Sequence, residues 1–178
     1  YSALALCIMD IEKKINPQLD DKFFLKKASF LARLGSGSAS RSVIGSFSIW
    51  GKSKHFEKST DLFAIKYSDQ IHETFSDICD TVLIVDKNKK EVSSTVGHKL
   101  MDNHPFSFNR LIQAENNMGS LKNALKNGNY DSFIELVELE ALTLHAMMLT
   151  SKPYFILMKP NTLEIINLIW NYRKKNLS

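Results

Sequence analysis

Apolar positions near the start of the chain recur at helical spacing. Leu4, Ile8, Ile11 and Ile15 share one face and predict a first helix. It should end before Pro17, because the residue ahead of a proline disfavours the α region. Asp20 and Asp21 offer a side-chain cap for a second helix, with Phe24, Ala28 and Leu31 on its inner face. That helix runs into Gly35 and a Gly/Ser stretch, after which the period changes. Residues 46–50 (SFSIW) alternate and read as a strand, and residues 62–67 (LFAIKY) as a second. Residues 81–86 (TVLIVD) form a continuous apolar run, the pattern of a strand buried on both faces.

Beyond the DKNKKE run at 86–91, which suits a solvated turn, the helical period returns. Phe108, Leu111, Ile112, Met118, Leu121 and Leu125 form one stripe, and Gly128-Asn129 breaks it, since glycine readily adopts the left-handed helix end. Phe133, Val137, Ala141, Leu144 and Met148 form the next stripe. Pro153 and Pro160 bound a connector, and a last helix turns Leu163, Ile166 and Trp170 inward. A strand-bearing first part and a helix-rich second part predict an α+β protein with a boundary near residues 76–80. No internal repeat is visible.

Composition adjusts this picture only slightly. With 178 residues, 44% of them hydrophobic, the chain can bury one core or two small ones and is not a disordered segment. The 23 Lys+Arg against 19 Asp+Glu leave a net charge of +4, scattered rather than gathered in a stripe. That argues against nucleic acid as the partner and suits an anionic substrate. No uncharged apolar run reaches the roughly 18 residues of a membrane span, so a cytoplasmic protein is expected. Cys7 and Cys79 are far apart and outside any CxxC, and read as reduced, mostly buried thiols. His55, His72, His98, His104 and His145 match no metal-site spacing, so no metal ligands are assigned. His145 reads as a core or near-site residue, and Lys99 as a surface lysine. The opening residues read like the interior of a helix and Arg173-Lys174-Lys175 like a basic helix end, so both ends read as cut.

The informative segment is Arg33-Leu34-Gly35-Ser36-Gly37-Ser38-Ala39-Ser40-Arg41-Ser42. Two glycines permit positive φ and close approach of backbone to a ligand. Alternating serines place hydroxyl donors on a short arc. Ahead of a helix, free backbone N–H groups and the helix dipole favour an anion. Arg41 adds a planar fork for a carboxylate or phosphate. Composition alone also fits a flexible Gly/Ser linker, but a linker has little purpose between an amphipathic helix and a strand.

Residues 32–42, continuing through Gly45-Ser46-Phe47 to Trp50, resemble the signature of the diphosphomevalonate decarboxylases. These belong to the superfamily of galactokinase, homoserine kinase and mevalonate kinase. The family usually carries Cys where Ser40 stands. Val92-Ser93-Ser94-Thr95-Val96-Gly97 resembles its serine-threonine-glycine segment, and Leu144-His145-Ala146, Thr150-Ser151 and the helix at 163–172 follow in the family's order. The resemblance covers essentially the whole chain.

It implies a two-domain fold: residues 1–78 as the C-terminal part of a ribosomal-protein-S5-like N-terminal domain, and 79–178 as most of a helix-rich, ferredoxin-like C-terminal domain. It implies an ATP-dependent lyase of the mevalonate pathway that phosphorylates the tertiary hydroxyl of diphosphomevalonate and releases phosphate and carbon dioxide to give isopentenyl diphosphate. ATP is then the co-substrate, Mg2+ its companion ion, and a homodimer the expected assembly. Ser36, Gly37, Ser38, Ala39 and Ser40 would line the substrate, with Ser36 and Ser38 on its diphosphate. Arg41 would hold the carboxylate end and orient the hydroxyl. Ser94 and Thr95 would donate to the diphosphate from the second domain. The family's ATP-phosphate loop and catalytic aspartate have no counterpart here; Asp86, Asp102 and Asp131 do not match the aspartate's motif, so the 178 residues alone are expected to be inactive. A phosphomevalonate decarboxylase or related small-molecule kinase remains the nearest alternative, and a non-catalytic binding fragment the more distant one.

Overall fold

The computed structural model describes residues 1–67, 71–87 and 100–176. Its elements are α1 (Ser2–Ile15), α2 (Asp21–Gly35), α3 (Ala39–Ile44), β1 (Ser48–Ile49), β2 (Ile65–Lys66), a 3-10 turn at Glu73–Phe75, α4 (Ser107–Asn127), α5 (Tyr130–Leu149) and α6 (Pro160–Asn176). The two strands pair antiparallel, Ser48 with Lys66 and Ile49 with Ile65. The α+β class holds, with helices dominant and the strands shorter than their sequence runs. The backbone forms two compact units, residues 1–75 with 118–129, and residues 76–117 with 130–178, so α4 starts in the second and ends in the first.

In the first unit, Asp20 caps α2 by accepting the Phe23 amide at 3.0 Å. Ala5, Ala28 and Ala32 are small enough to let α1 and α2 approach closely, and Met9 and Val43 fill the core beside them. Phe24 and Leu31 pack at its edge, as their spacing predicts. Lys27 bridges to Glu12 at 2.7 Å and Lys13 to Asp21 across the same helix pair. The stripe that predicts α1 is not its buried face: Leu4, Ile8, Ile11 and Ile15 are exposed. Ala5 and Met9 face inward instead, one position and about 100° further round. Cys7 lies about 200° from both, which is why its thiol is exposed rather than buried; Cys79 is exposed as well.

The last turns of α4 pack against residues 55–75 through two glycines. A Cβ at Gly119 would lie 2.6 Å from the His55 ring, and one at Gly128 2.6 Å from the His72 ring. Lys122 Nζ donates to the His55 carbonyl at 2.8 Å, and the His72 amide to the Leu125 carbonyl at 2.9 Å. Gly128 also has φ +70°, and the Asn129 amide closes the helix end on the Ala124 carbonyl at 3.0 Å.

The second unit hangs on two carboxylates of α5. Glu138 and Glu140 are two residues apart, so they leave the helix on nearly opposite sides. Glu138 accepts from Arg173 at 2.7 Å and Trp170 Nε1 at 3.3 Å, both on α6. Glu140 takes both guanidinium nitrogens of Arg110 and the Asn117 amide at 2.7 Å, both on α4. Burial pushes the Glu140 pKa up, but the hydrogen bonds from Arg110 and Asn117 and the Arg110 charge outweigh it, holding the carboxyl below its ordinary value. His104, buried ahead of α4, is bonded through both ring nitrogens. Nδ1 accepts the Phe106 amide at 3.1 Å, leaving Nε2–H to meet Thr150 Oγ1 at 3.0 Å. His145 is half-buried on α5.

Three expectations fail in this unit. Residues 81–86 form no strand, and Val82 and Ile84 are 77% and 71% exposed. A strand needs a ladder partner, and among the described residues none lies beside this run. In α6, Leu163 and Trp170 are exposed rather than inward; only Ile166 of the three is half-buried. Phe108, Leu111 and Ile112 of α4 and Val137 and Leu144 of α5 are likewise exposed, so each helical stripe is right in period but only partly covered. Of those two stripes only Leu125, in the first unit, and Met148 are fully buried.

Replacing Gly128 by alanine forces a side chain into a left-handed position and against His72, and should cost about 1–2 kcal/mol. A denaturant midpoint equal to wild type would contradict it. Because the folded Glu140 pKa is depressed, its contribution is full above the ordinary value of 4.5 and is lost as pH falls through the folded value. The stability gap between wild type and Glu140→Gln should therefore narrow on acidification below pH 4.5, read by urea unfolding at stepped pH; a gap that widens there would refute the assignment.

Candidate functional site

The Gly/Ser segment sits between α2 and α3, at the edge of the first unit's core. Ser36 ends α2 in extended conformation, with its amide on the Ala32 carbonyl at 3.1 Å. Ser38 then opens α3 with helical dihedrals. From that point the helical period sorts the side chains. Ser38, Arg41 and Ser42 are exposed on the outer side, while Ser40 and Val43 are buried. Ser38 and Arg41 are three residues apart in a helical turn, which makes them neighbours on one surface. Ser36 and Ser38 bring their hydroxyls within 3.3 Å of each other. Among the described residues the Arg41 guanidinium has no ion pair and no side-chain hydrogen bond.

Two physical readings of this segment need correction. The glycines are not there for positive φ, which occurs instead at Gly45 (φ +69°) and at Ser46 (φ +49°), just beyond α3. Gly35 and Gly37 make room for rings: a Cβ at Gly35 would lie 2.0 Å from the Tyr1 ring, and one at Gly37 2.4 Å from the Trp50 indole. Nor are the N–H groups at the start of α3 free. The amides of Ala39, Ser40 and Arg41 bond to the carbonyls of Ser36, Gly37 and Ser38 at 3.1, 3.2 and 3.2 Å. The side-chain donors on this segment are the Ser36 and Ser38 hydroxyls and the Arg41 fork, and the Gly37 and Ser38 amides are the backbone donors with no hydrogen bond among the described residues.

The inner side of the segment is held by hydroxyls. Ser40, with no exposed surface, turns its Oγ onto the Gly37 carbonyl at 2.7 Å. Ser2 Oγ donates to the Ala39 carbonyl at 3.0 Å. Ser29 Oγ, also fully buried, donates to the Ser40 carbonyl at 2.9 Å and accepts the Ala64 amide at 2.8 Å. Ser2 and Ser29 escape sequence reasoning, because a single serine within a helix carries no pattern. Trp50, whose indole donates to the Asp61 carbonyl at 3.0 Å, braces the segment from the strand side. The structure thus gathers residues 36–41 on one short arc; Ser94 and Thr95 lie outside the described residues.

Chemically, two hydroxyls and a guanidinium on one arc suit an oxygen-rich anion. Among the described residues no three His, Cys, Asp or Glu side chains gather as a metal-binding group. No helix among them is long and apolar enough to cross a membrane.

Comparison with known proteins gives the arrangement a context. Residues 81–178 match the domain family described as the mevalonate 5-diphosphate decarboxylase C-terminal domain, and residues 1–62 the diphosphomevalonate decarboxylase-like N-terminal domain. A diphosphomevalonate decarboxylase from Ganoderma lucidum is 28% identical over 148 residues, covering 82% of this chain and 36% of the relative. The crystal structure of a mevalonate diphosphate decarboxylase from Legionella pneumophila shares the fold at a TM-score of 0.76 and 24% identity, over 99% of this chain and 51% of that one. A structure describing mevalonate diphosphate mediated ATP binding by the decarboxylase from Enterococcus faecalis aligns at a TM-score of 0.65 and 24% identity, over 85% of this chain and 44% of that one. The chain therefore spans about a third of the length of the curated relative and about half of the solved structures. With both of its parts matched in order, the chain belongs to the mevalonate 5-diphosphate decarboxylase family.

Proposed function

We propose that the full-length protein carries out ATP-dependent decarboxylation of mevalonate 5-diphosphate to isopentenyl diphosphate, and that the arc of residues 36–41 is part of its substrate site. The observation that carries this reading is the outward set of Ser36, Ser38 and Arg41, held on a brace of buried hydroxyls within a chain of this family. A diphosphate offers many acceptor oxygens and no donors when ionised, so hydroxyl donors and a guanidinium are its complement.

In this reading Ser36 and Ser38 donate to the diphosphate. Arg41 holds the carboxylate in two-point contact and so fixes the neighbouring tertiary hydroxyl. Gly37 and Ala39 keep the arc low, and Ser40 shapes it from below rather than touching the ligand. Ser94 and Thr95 are assigned to the diphosphate from the second domain. The boundary after residue 78 is part of the same proposal, since the two family matches stop at 62 and resume at 81. So are a homodimer and a cytoplasmic location.

The reaction transfers the terminal phosphoryl group of ATP to the tertiary oxygen, which gives up its proton to a base as ADP departs. The C–O bond then breaks with its electron pair on phosphate. The electrons of the bond to the carboxylate become the new C=C bond as carbon dioxide leaves. Positive charge builds on the tertiary carbon during that departure, so Arg41 must bind the carboxylate without displacing it. Its contribution is orientation, which can supply several kcal/mol of a barrier. A second metabolic phosphate on the substrate gives Ser36 and Ser38 their role, and its absence should weaken binding.

Arg41→Ala in the full-length protein should lower kcat/KM for mevalonate 5-diphosphate by roughly 100-fold or more, measured by coupled release of ADP and carbon dioxide. Equal turnover in wild type and variant, or none in wild type, would sink the proposal. Ser38→Ala should act mainly on KM, raising it roughly tenfold, because it removes one hydrogen bond to a charged group. With mevalonate 5-phosphate as substrate the Ser38→Ala effect should shrink; a larger effect on the monophosphate would favour a phosphomevalonate decarboxylase.

A further inference from the structure

The fully buried Ser29 stands in the middle of α2, where serine is a poor helix former. Its hydroxyl does not bond back to its own helix. It reaches 11 residues forward to the Ser40 carbonyl and 35 residues forward to the Ala64 amide. We propose that Ser29 is a positioning residue for the substrate arc: it fixes the Ser40–Arg41 peptide from the core and so sets where Arg41 points. The inference rests on reading residues 36–41 as the substrate site.

The chemistry of one hydroxyl supports the assignment. It has a single proton to give and lone pairs to accept with, and Ser29 uses both roles on backbone groups. An apolar side chain here would leave the buried Ala64 amide without its partner, a costly state in a protein interior, and would remove the tie that the Ser40 carbonyl makes beyond its own helix. The Ser40 carbonyl belongs to the same planar peptide as the Arg41 amide. Pinning that oxygen at 2.9 Å therefore fixes the plane from which Arg41 departs. The Arg41 amide is tied in turn to the Ser38 carbonyl at 3.2 Å, and its carbonyl receives the Gly45 amide at 3.1 Å. The Ala64 amide, just ahead of β2, links the same hydroxyl to the strand side of the unit. One buried atom thus connects α2, the start of α3 and the approach to β2. A guanidinium that grips a carboxylate in two places tolerates misplacement of only about 0.5 Å, so a peptide free to tilt would cost orientation before it cost folding.

The test compares wild type, Ser29→Ala and Ser29→Cys in the full-length protein, with KM for each substrate determined separately. Ser29→Ala should lose roughly 10- to 100-fold in kcat/KM for mevalonate 5-diphosphate while KM for ATP stays within about twofold. Ser29→Cys keeps the volume and a weak donor, so it should fold where the alanine variant does not and show the same split at smaller amplitude. A lowered melting temperature with kcat and both KM values unchanged in either folded variant would overturn the proposal.

A second readout does not need turnover. With 5-fluorotryptophan incorporated, the Trp50 signal, assigned by its loss in Trp50→Phe, reports on Gly37 beside it. Mevalonate 5-diphosphate, added without ATP, should shift that signal saturably in wild type, with a midpoint raised roughly tenfold in Ser29→Ala. Binding that weakens as expected in a protein without decarboxylase activity would sink the proposed function and keep the positioning role. Activity and binding both indifferent to Ser29 would sink the positioning role alone. A wild type that neither turns over nor binds mevalonate 5-diphosphate would sink both.

Discussion

A backbone group removed from water must find a partner, and at the edge of the first unit buried serine side chains share that task with the backbone. The two strands there pair over only two residues each. Serine hydroxyls add to the helix and turn bonds: Ser29 on Ser40 and Ala64, Ser40 on Gly37, Ser2 on Ala39. The carbonyls of residues 37, 39 and 40 are satisfied inward. The side chains of Ser38 and Arg41 are left to solvent, with Ser36 half-buried beside Ser38. The site's chemistry is the outer face of this accounting, because hydroxyls and a guanidinium not consumed by the fold remain to meet an anion.

Rings complete the brace. Tyr1 and Trp50 occupy the space a side chain would need at Gly35 and Gly37. A glycine-rich segment bounded by two aromatic rings and a buried hydroxyl is not a plain linker. It is a short rigid arc whose flatness comes from steric demand. That distinction matters for the proposed chemistry, in which Arg41 would orient the substrate's carboxylate relative to its tertiary hydroxyl.

The second unit follows a different logic. Its helices are joined less by a filled core than by two carboxylates pointing opposite ways from α5, Glu138 to α6 and Glu140 to α4. His104 adds a third fixed link, between the start of α4 and the end of α5. Many large apolar side chains of α4, α5 and α6 remain exposed. The polar links therefore set register among helices whose apolar stripes are only partly covered.

Much was legible in the order of residue types. The helices at both ends of the Gly/Ser segment, the cap at Asp20, the break at Gly128 and the proline-bounded connector all arise from local rules: side-chain spacing, ring closure at proline, and glycine's access to positive φ. The family was legible because the segment from Ala32 to Trp50 combines rare choices in a fixed order. What local rules did not reach was which face of a helix is inside. Large residues at Leu4, Ile8, Ile11 and Ile15 mark the period of α1, yet small Ala5 and Met9 mark its core, because close approach of two helices selects for the small residue. Nor could they reach 81–86, where an apolar run reads as a strand only if a partner lies beside it. Sequence alone determined most of the helices, the family and the residues of the candidate site. Only the tertiary structure decided that Gly37 makes room for Trp50 and that Ser29 anchors Ser40, since both depend on residues 11 or more positions apart meeting in space.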